Sequence, residues 1–139
     1  MSAVGSPFRK AFESRILLMD GAMGTMIQAR DLSARDFGGA QLEGCNEHLN
    51  LTRPDVIRAI HDAYLDAGAD LISPNSFGCA PYVLAEYGLA ERCHEITLAG
   101  ARLARAVPLE LGDEAFQMIG RTPVLLDLLD APELIWGEL

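Results

Sequence analysis

The sequence predicts an α/β fold built from strand–helix units with parallel pairing. Three observations lead there. Ile16-Leu17-Leu18-Met19 is an unbroken apolar run that stops at Asp20-Gly21, the pattern of a strand buried on both faces. A second short run, residues 69–73, stops at Pro74-Asn75. Between the two runs lies a segment with helical periodicity and punctuation at both ends. Strand, helix, strand, helix is the alternation of a parallel sheet.

Taken in order, residues 1–14 read as a flexible lead, with a short helical turn expected from residue 9. Gly21 and Gly24 permit a tight turn directly after the first strand. Residues 29–50 are mixed and polar, with Gly38-Gly39 and Gly44, and read as a long loop containing one helical turn. A loop of this length in a compact domain is often functional. Residues 52–67 form the clearest helix. Thr52 as N-cap, Pro54 in the first turn and Asp55 three residues after the cap approximate a capping box. Val56, Ile57, Ile60, Tyr64 and Leu65 recur at helical spacing and face a core. Gly68 suits the left-handed position that ends a helix. Residues 81–87 and 91–107 read as two helical segments broken near Gly88. Beyond Pro108 the pattern changes: residues 113–119 suit a helix, and residues 124–129 suit either a strand or a helix.

Composition limits the function classes. A chain of 139 residues, half of them hydrophobic and 22% charged, is one soluble globular domain by the usual expectation. The net charge is −9, and residues 108–139, with seven acidic side chains and one basic, carry six of those nine charges. No basic nucleic-acid footprint is present, and an acidic surface is not drawn to anionic membranes. No apolar run approaches a membrane span. Residues 1–10 lack the apolar segment of a secretory signal. Cys45, Cys79 and Cys93 form no CxxC pair, which points to neither a disulfide framework nor a self-contained zinc site. A reducing cytoplasmic setting follows.

The residues placed for chemistry lie at the two strand ends. Asp20 either holds a ligand amino group or bonds its own turn, as Asp often does. Asn75 and Ser76 either hydrogen-bond a ligand carboxylate or shape the second turn. Phe77 reads as core. His48, His61 and His94 are isolated and make no HxH or HExxH pattern, with His61 expected to be solvated or partly packed. Cys79 falls near the second strand end, Cys45 in the loop and Cys93 in a helix. No GxGxxG or GxxxxGK[ST] motif is present, so a nucleotide site is not supported.

Three stretches together carry a family resemblance. They are residues 16–28 (ILLMDGAMGTMIQ), residues 44–57 (GCNEHLNLTRPDVI), and residues 67–72 with Asn75-Ser76-Phe77-Gly78. They resemble the opening of the homocysteine-binding module of the cobalamin-dependent methionine synthase family, and the resemblance fades after Val107. It implies a (β/α)₈ barrel that binds homocysteine at the C-terminal ends of its strands. Zinc held by cysteines turns the homocysteine thiol into the thiolate that attacks a methyl donor. In that family the donor is methylcobalamin. Carried over, Asp20, Gly21, Ala22 and Met23 would hold homocysteine, with Asn75 and Ser76 nearby.

Two departures qualify what is carried over. Ser73-Pro74 stands where the family has Glu-Thr. The family's zinc cysteines lie far downstream, and Cys45, Cys79 and Cys93 do not match them. A barrel needs about 250 residues. The expectation is therefore a partial barrel: the first two strand–helix units over residues 15–107, followed by a divergent acidic segment over residues 108–139. Such a chain is a homocysteine-binding part of a methyltransferase, with no zinc, no cobalamin and no catalysis by itself. The alternatives are a non-catalytic scaffold whose open sheet is covered by self-association, or one half of a split enzyme completed by another chain.

Overall fold

A computed structural model describes residues 7–107. The expectations for residues 108–139 fall outside the described residues. Helix α1 (Pro7–Ser14) begins inside the segment read as a flexible lead. The chain then runs extended to Asp20 and meets residues 70–71 side by side. The Asp20 N–H donates to the Leu71 carbonyl (2.9 Å) and the Leu71 N–H to the Leu18 carbonyl (3.1 Å). These bonds make a parallel bridge between Met19 and Leu71, the direction expected of successive strand–helix units.

The pairing goes no further among the described residues, and the reason is local. The Ser73 N–H is taken by the Asp20 carboxylate, and Pro74 has no N–H to donate. Asp70 anchors the other end of the contact. Its carboxylate accepts the Leu18 N–H (2.9 Å) and a two-pronged bond from Arg15 (2.6 and 2.8 Å). Those bonds hold the Asp70 carboxyl at about 2, well below the usual range. The first apolar run is not buried on two faces as its composition suggested. Ile16 is 86% exposed, and Leu18 and Met19 are each 58% exposed. Leu71 is the single sheet-type neighbour of this run among the described residues, and only Leu17 of the four is partly covered.

Most of the fold is helical. Helix α2 (Met23–Gln28) follows the first turn and α3 (Ala34–Phe37) the next. Ser33 opens α3 by donating its N–H and its hydroxyl to Asp36. Single 3₁₀ turns at Ala40–Leu42 and Asn46–His48 lead into α4 (Leu49–Thr52). The stretch read as a long loop is thus a chain of short helical turns. It is pinned to the core by Phe37, Leu42, Cys45 and Leu49.

Helix α5 (Pro54–Asp66) is the predicted helix with a corrected start. Thr52 is not its cap: the Thr52 hydroxyl bonds back to the His48 carbonyl (3.3 Å) and closes α4. Arg53 takes the cap position, and its guanidinium spans Asp55 and Asp36. Pro54 stands in the first turn as expected. At the other end Gly68 adopts φ +98°. The Gly68 N–H bonds Leu65 and the Ala69 N–H bonds Tyr64, the Schellman closure that a glycine at this position allows. Helix α6 (Pro81–Leu84) and two 3₁₀ turns, broken at Gly88 in the left-handed region, precede α7 (Cys93–Arg105).

The core forms where α5 crosses α4, α2 and α7. Leu49, Ile57, Ile60, Leu84 and Ile96 are fully buried there. A smaller cluster of Ile72, Ala101 and Ala104 joins the second extended segment to α7, with Tyr64 and Leu65 packed on it. His61 corrects another expectation. It is completely buried, and neither ring nitrogen has a hydrogen-bond partner. The cause is its register: His61 lies four residues after Ile57 and three before Tyr64, on the apolar stripe itself. Burial holds it neutral, with its pKa pulled down to about 4.

Candidate functional site

Asp20 is buried at the end of the first extended segment. It does not bond its own turn. Its Oδ1 accepts the Ser73 N–H (2.9 Å) and the Ser73 hydroxyl (2.7 Å), clasping the two extended segments across 53 residues of sequence. Burial raises the Asp20 pKa, and the two bonds from Ser73 work in the opposite direction. Both donors use Oδ1, so Oδ2 is the oxygen with capacity left for a ligand.

The turn after Asp20 is made differently from the reading in which its glycines bend it. Neither Gly21 nor Gly24 has a positive φ; Ala22 does, at φ 44° and ψ 36°. A left-handed alanine costs roughly 1–2 kcal/mol relative to ordinary backbone. Strained residues of this kind cluster at ligand sites, and this one borders a cavity.

That cavity has a volume of about 320 Å³. The two segment ends line it through Asp20, Gly21, Ala22, Met23, Ser73 and Asn75. Phe77, read from sequence as core, is instead fully exposed at its edge. Ser76 is not part of the lining. Its N–H bonds the Pro74 carbonyl and its carbonyl accepts the Cys79 N–H, so it shapes the turn.

Asn75 borders the cavity, but its amide nitrogen is already engaged. Its Nδ2 donates to the Asn46 carbonyl (2.8 Å) and to Asn50 Oδ1 (3.0 Å), and Asn50 Nδ2 donates back to the Asn75 carbonyl (2.8 Å) and to Ile96 (3.2 Å).

Asn46 and Glu47 complete the lining, and neither was singled out from sequence. The signal was present as spacing. Cys45, His48 and Leu49 are all buried, an i, i+3, i+4 anchor that turns the two intervening residues outward. His48 strengthens the anchor: its Nδ1 meets the Phe37 carbonyl at 2.7 Å. Glu47 Oε1 accepts the Gly78 N–H (2.8 Å). Asp20 and Glu47 are the two charged residues of the lining, and both are acidic.

The cysteines do not make a zinc centre. Cys45, Cys79 and Cys93 are free and buried. The Cys93 thiol donates to the Cys79 carbonyl (3.4 Å). Burial pushes the Cys79 thiol up to about 12 and the Cys45 thiol in the same direction. Zinc needs thiolates, and burial disfavours the thiolate of Cys45 and Cys79. No group of three or more His, Cys, Asp or Glu side chains among the described residues is placed to hold a metal ion. No helix of the described residues is long and apolar enough to cross a membrane.

Carboxylates and amides thus border a small cavity at the ends of two segments that touch in parallel. The chain belongs to the homocysteine S-methyltransferase family, whose sequence model matches residues 17–133. It is 50% identical over 98 residues to the methionine synthase of Mycobacterium tuberculosis (strain ATCC 25618 / H37Rv), and 47% identical over 97 residues to that of Mycobacterium leprae (strain TN). Each match covers 70% of this chain and 8% of the relative. The chain therefore spans a small part of the length of these relatives.

Proposed function

We propose that this chain carries the homocysteine-recognition part of a methyl-transfer module, built as the first two strand–helix units of a (β/α)₈ barrel. The observation that carries the reading is the Asp20–Ser73 clasp. It holds a buried carboxylate at the edge of a cavity whose charged residues are both acidic. Such a site attracts the ammonium of an amino acid and offers it Asp20 Oδ2, with the strained turn at residues 21–23 alongside. The parallel Met19–Leu71 bridge supports the barrel reading, and the family match supports homocysteine as the amino acid. The described cysteines do not fit the zinc that activates homocysteine in this family, so no methyl-transfer step is assigned to these residues. A cytoplasmic setting suits three free thiols.

The exposed faces of Ile16, Leu18 and Met19 favour a second feature, pairing with further polypeptide. An uncovered apolar edge is an association surface. Sedimentation of the chain over a range of concentrations separates self-association from a monomer that awaits another chain.

The test of homocysteine binding is calorimetry with the wild-type chain and with Asp20→Asn. Asparagine keeps an oxygen for Ser73 and loses the charge. Removal of a charge-assisted bond is expected to weaken L-homocysteine binding by about tenfold or more. 4-Mercaptobutyrate, which lacks the amino group, is expected to bind both proteins equally weakly. Absence of binding by the wild type, or equal affinity of the two proteins for L-homocysteine, overturns the reading.

A further inference from the structure

We infer that Glu47 is a positioning residue for this cavity: its carboxylate clamps the far end of the loop at residues 73–78. The inference rests on the reading of the cavity as a homocysteine site. The loop is held by a carboxylate at each end. Asp20 takes the N–H and hydroxyl of Ser73 at its start, and Glu47 takes the N–H of Gly78 at its finish. Between them Asn75 is fixed by Asn46 and Asn50, whereas Phe77 stands fully exposed at the cavity edge. Glu47 thus holds the Gly78 N–H, next to Cys79, which is itself buried in the core.

Two facts show that the contact is built tightly. The Glu47 carboxylate lies flat against Gly78. A Cβ added there would come within 2.7 Å of Oε1, 2.9 Å of Cδ and 3.0 Å of Oε2. Gly78 does not have a positive φ, so a side chain here would meet no backbone strain but would have to push the Glu47 carboxylate aside. Glu47 is anchored through its backbone. It sits between the buried residues Cys45 and His48, and the fully buried Leu49 follows, so its backbone is fixed by the core. The clamp is thus a rigid arm from the 45–50 segment that reaches the second segment end.

The experiment compares the full chain with Glu47→Ala, Glu47→Gln and Gly78→Ala. Two quantities are read, the hydrogen exchange of the Gly78 amide and the affinity for L-homocysteine. Loss of the acceptor in Glu47→Ala is expected to speed Gly78 exchange and to weaken homocysteine binding, each by about tenfold. Glu47→Gln retains an acceptor oxygen and is expected to restore both to within about threefold of wild type. Gly78→Ala keeps the Glu47 side chain but forces its carboxylate aside, and is expected to weaken binding like Glu47→Ala. Unchanged Gly78 exchange in Glu47→Ala overturns the clamp. Faster exchange with unchanged affinity overturns the positioning role. Glu47→Gln binding as weakly as Glu47→Ala also overturns it, because the charge would then be acting directly on the ligand. Failure of the wild type to bind homocysteine defeats the site reading and the positioning role, while Gly78 exchange still decides whether the clamp exists.

Discussion

Asn50 and Asn75 are tied to each other twice: the side chain of Asn50 donates to the Asn75 carbonyl, and the side chain of Asn75 donates to Asn50 Oδ1. This reciprocal pair joins the 45–50 segment to the second segment end, and the Asn50 bond to Ile96 extends it to α7. Gly100 makes room for it. A Cβ there would stand 2.6 Å from Asn50 Nδ2 and 3.2 Å from the Asn75 carbonyl. A buried polar network is stable only when every member is satisfied.

Asn75 should therefore behave as a structural residue first. Asn75→Ala and Gly100→Ala are each expected to lower unfolding stability by about 2 kcal/mol, read from urea midpoints. The double variant should lose less than the sum, because both changes strike one network. An Asn75→Ala protein as stable as wild type would mean that the network adds nothing to stability, and a ligand role for Asn75 would regain first place.

His61 makes stability depend on pH in a defined window. Its folded-state pKa is about 4, against 6.5 for the free side chain. The unfolded chain therefore takes up a proton that the folded chain refuses. Stability is fully present above about pH 6.5 and declines as pH falls toward 4, with a limiting slope of about 1.4 kcal/mol per pH unit. Below that range the slope passes to Asp36 and Asp70. Their pKa values are lowered to about 2, so the stability they supply is present above 3.8 and lost as pH falls toward 2. His61→Leu is expected to remove the slope between pH 6.5 and 4. At pH 7 it should raise stability by about 1 kcal/mol, since two unpartnered buried nitrogens disappear. Urea unfolding at pH 7.0, 5.5 and 4.5 measures both effects, and a flat wild-type profile would contradict the assignment.

The cysteines are expected to be chemically silent in the folded chain. Burial removes access to all three, and the raised thiol pKa of Cys45 and Cys79 also disfavours the nucleophile there. A thiol reagent such as Ellman's should label none of the three in native protein and all three in denaturant. Dialysis against zinc should leave no stoichiometric metal. Rapid native labelling of Cys79, or one retained zinc per chain, would show that these thiols are more open and more ionised than their surroundings indicate.

The line between what sequence and structure each decided runs through particular residues. Local chemistry was legible. The Val56, Ile57 and Ile60 stripe, Pro54 in the first turn of α5, the closure at Gly68 and the break at Gly88 all depend on neighbours within a turn or two, where periodicity and backbone preference act directly. Asp20 and residues 21–23, expected from sequence to hold a ligand, line the cavity.

What stayed hidden depends on distant partners. Asp20 pairs with Ser73 across 53 residues, Glu47 with Gly78 across 31, and Asn75 with Asn50 across 25. No local pattern reports which carboxylate finds which amide. Ala22 takes the left-handed turn that Gly21 and Gly24 looked suited to, against an intrinsic preference of roughly 1–2 kcal/mol. The apolar run at residues 16–19 shows the limit most plainly. Sequence determines that it is fit to be buried. Whether it is buried depends on what packs against it, and hydrophobic burial is a property of the assembled surface, not of the segment alone.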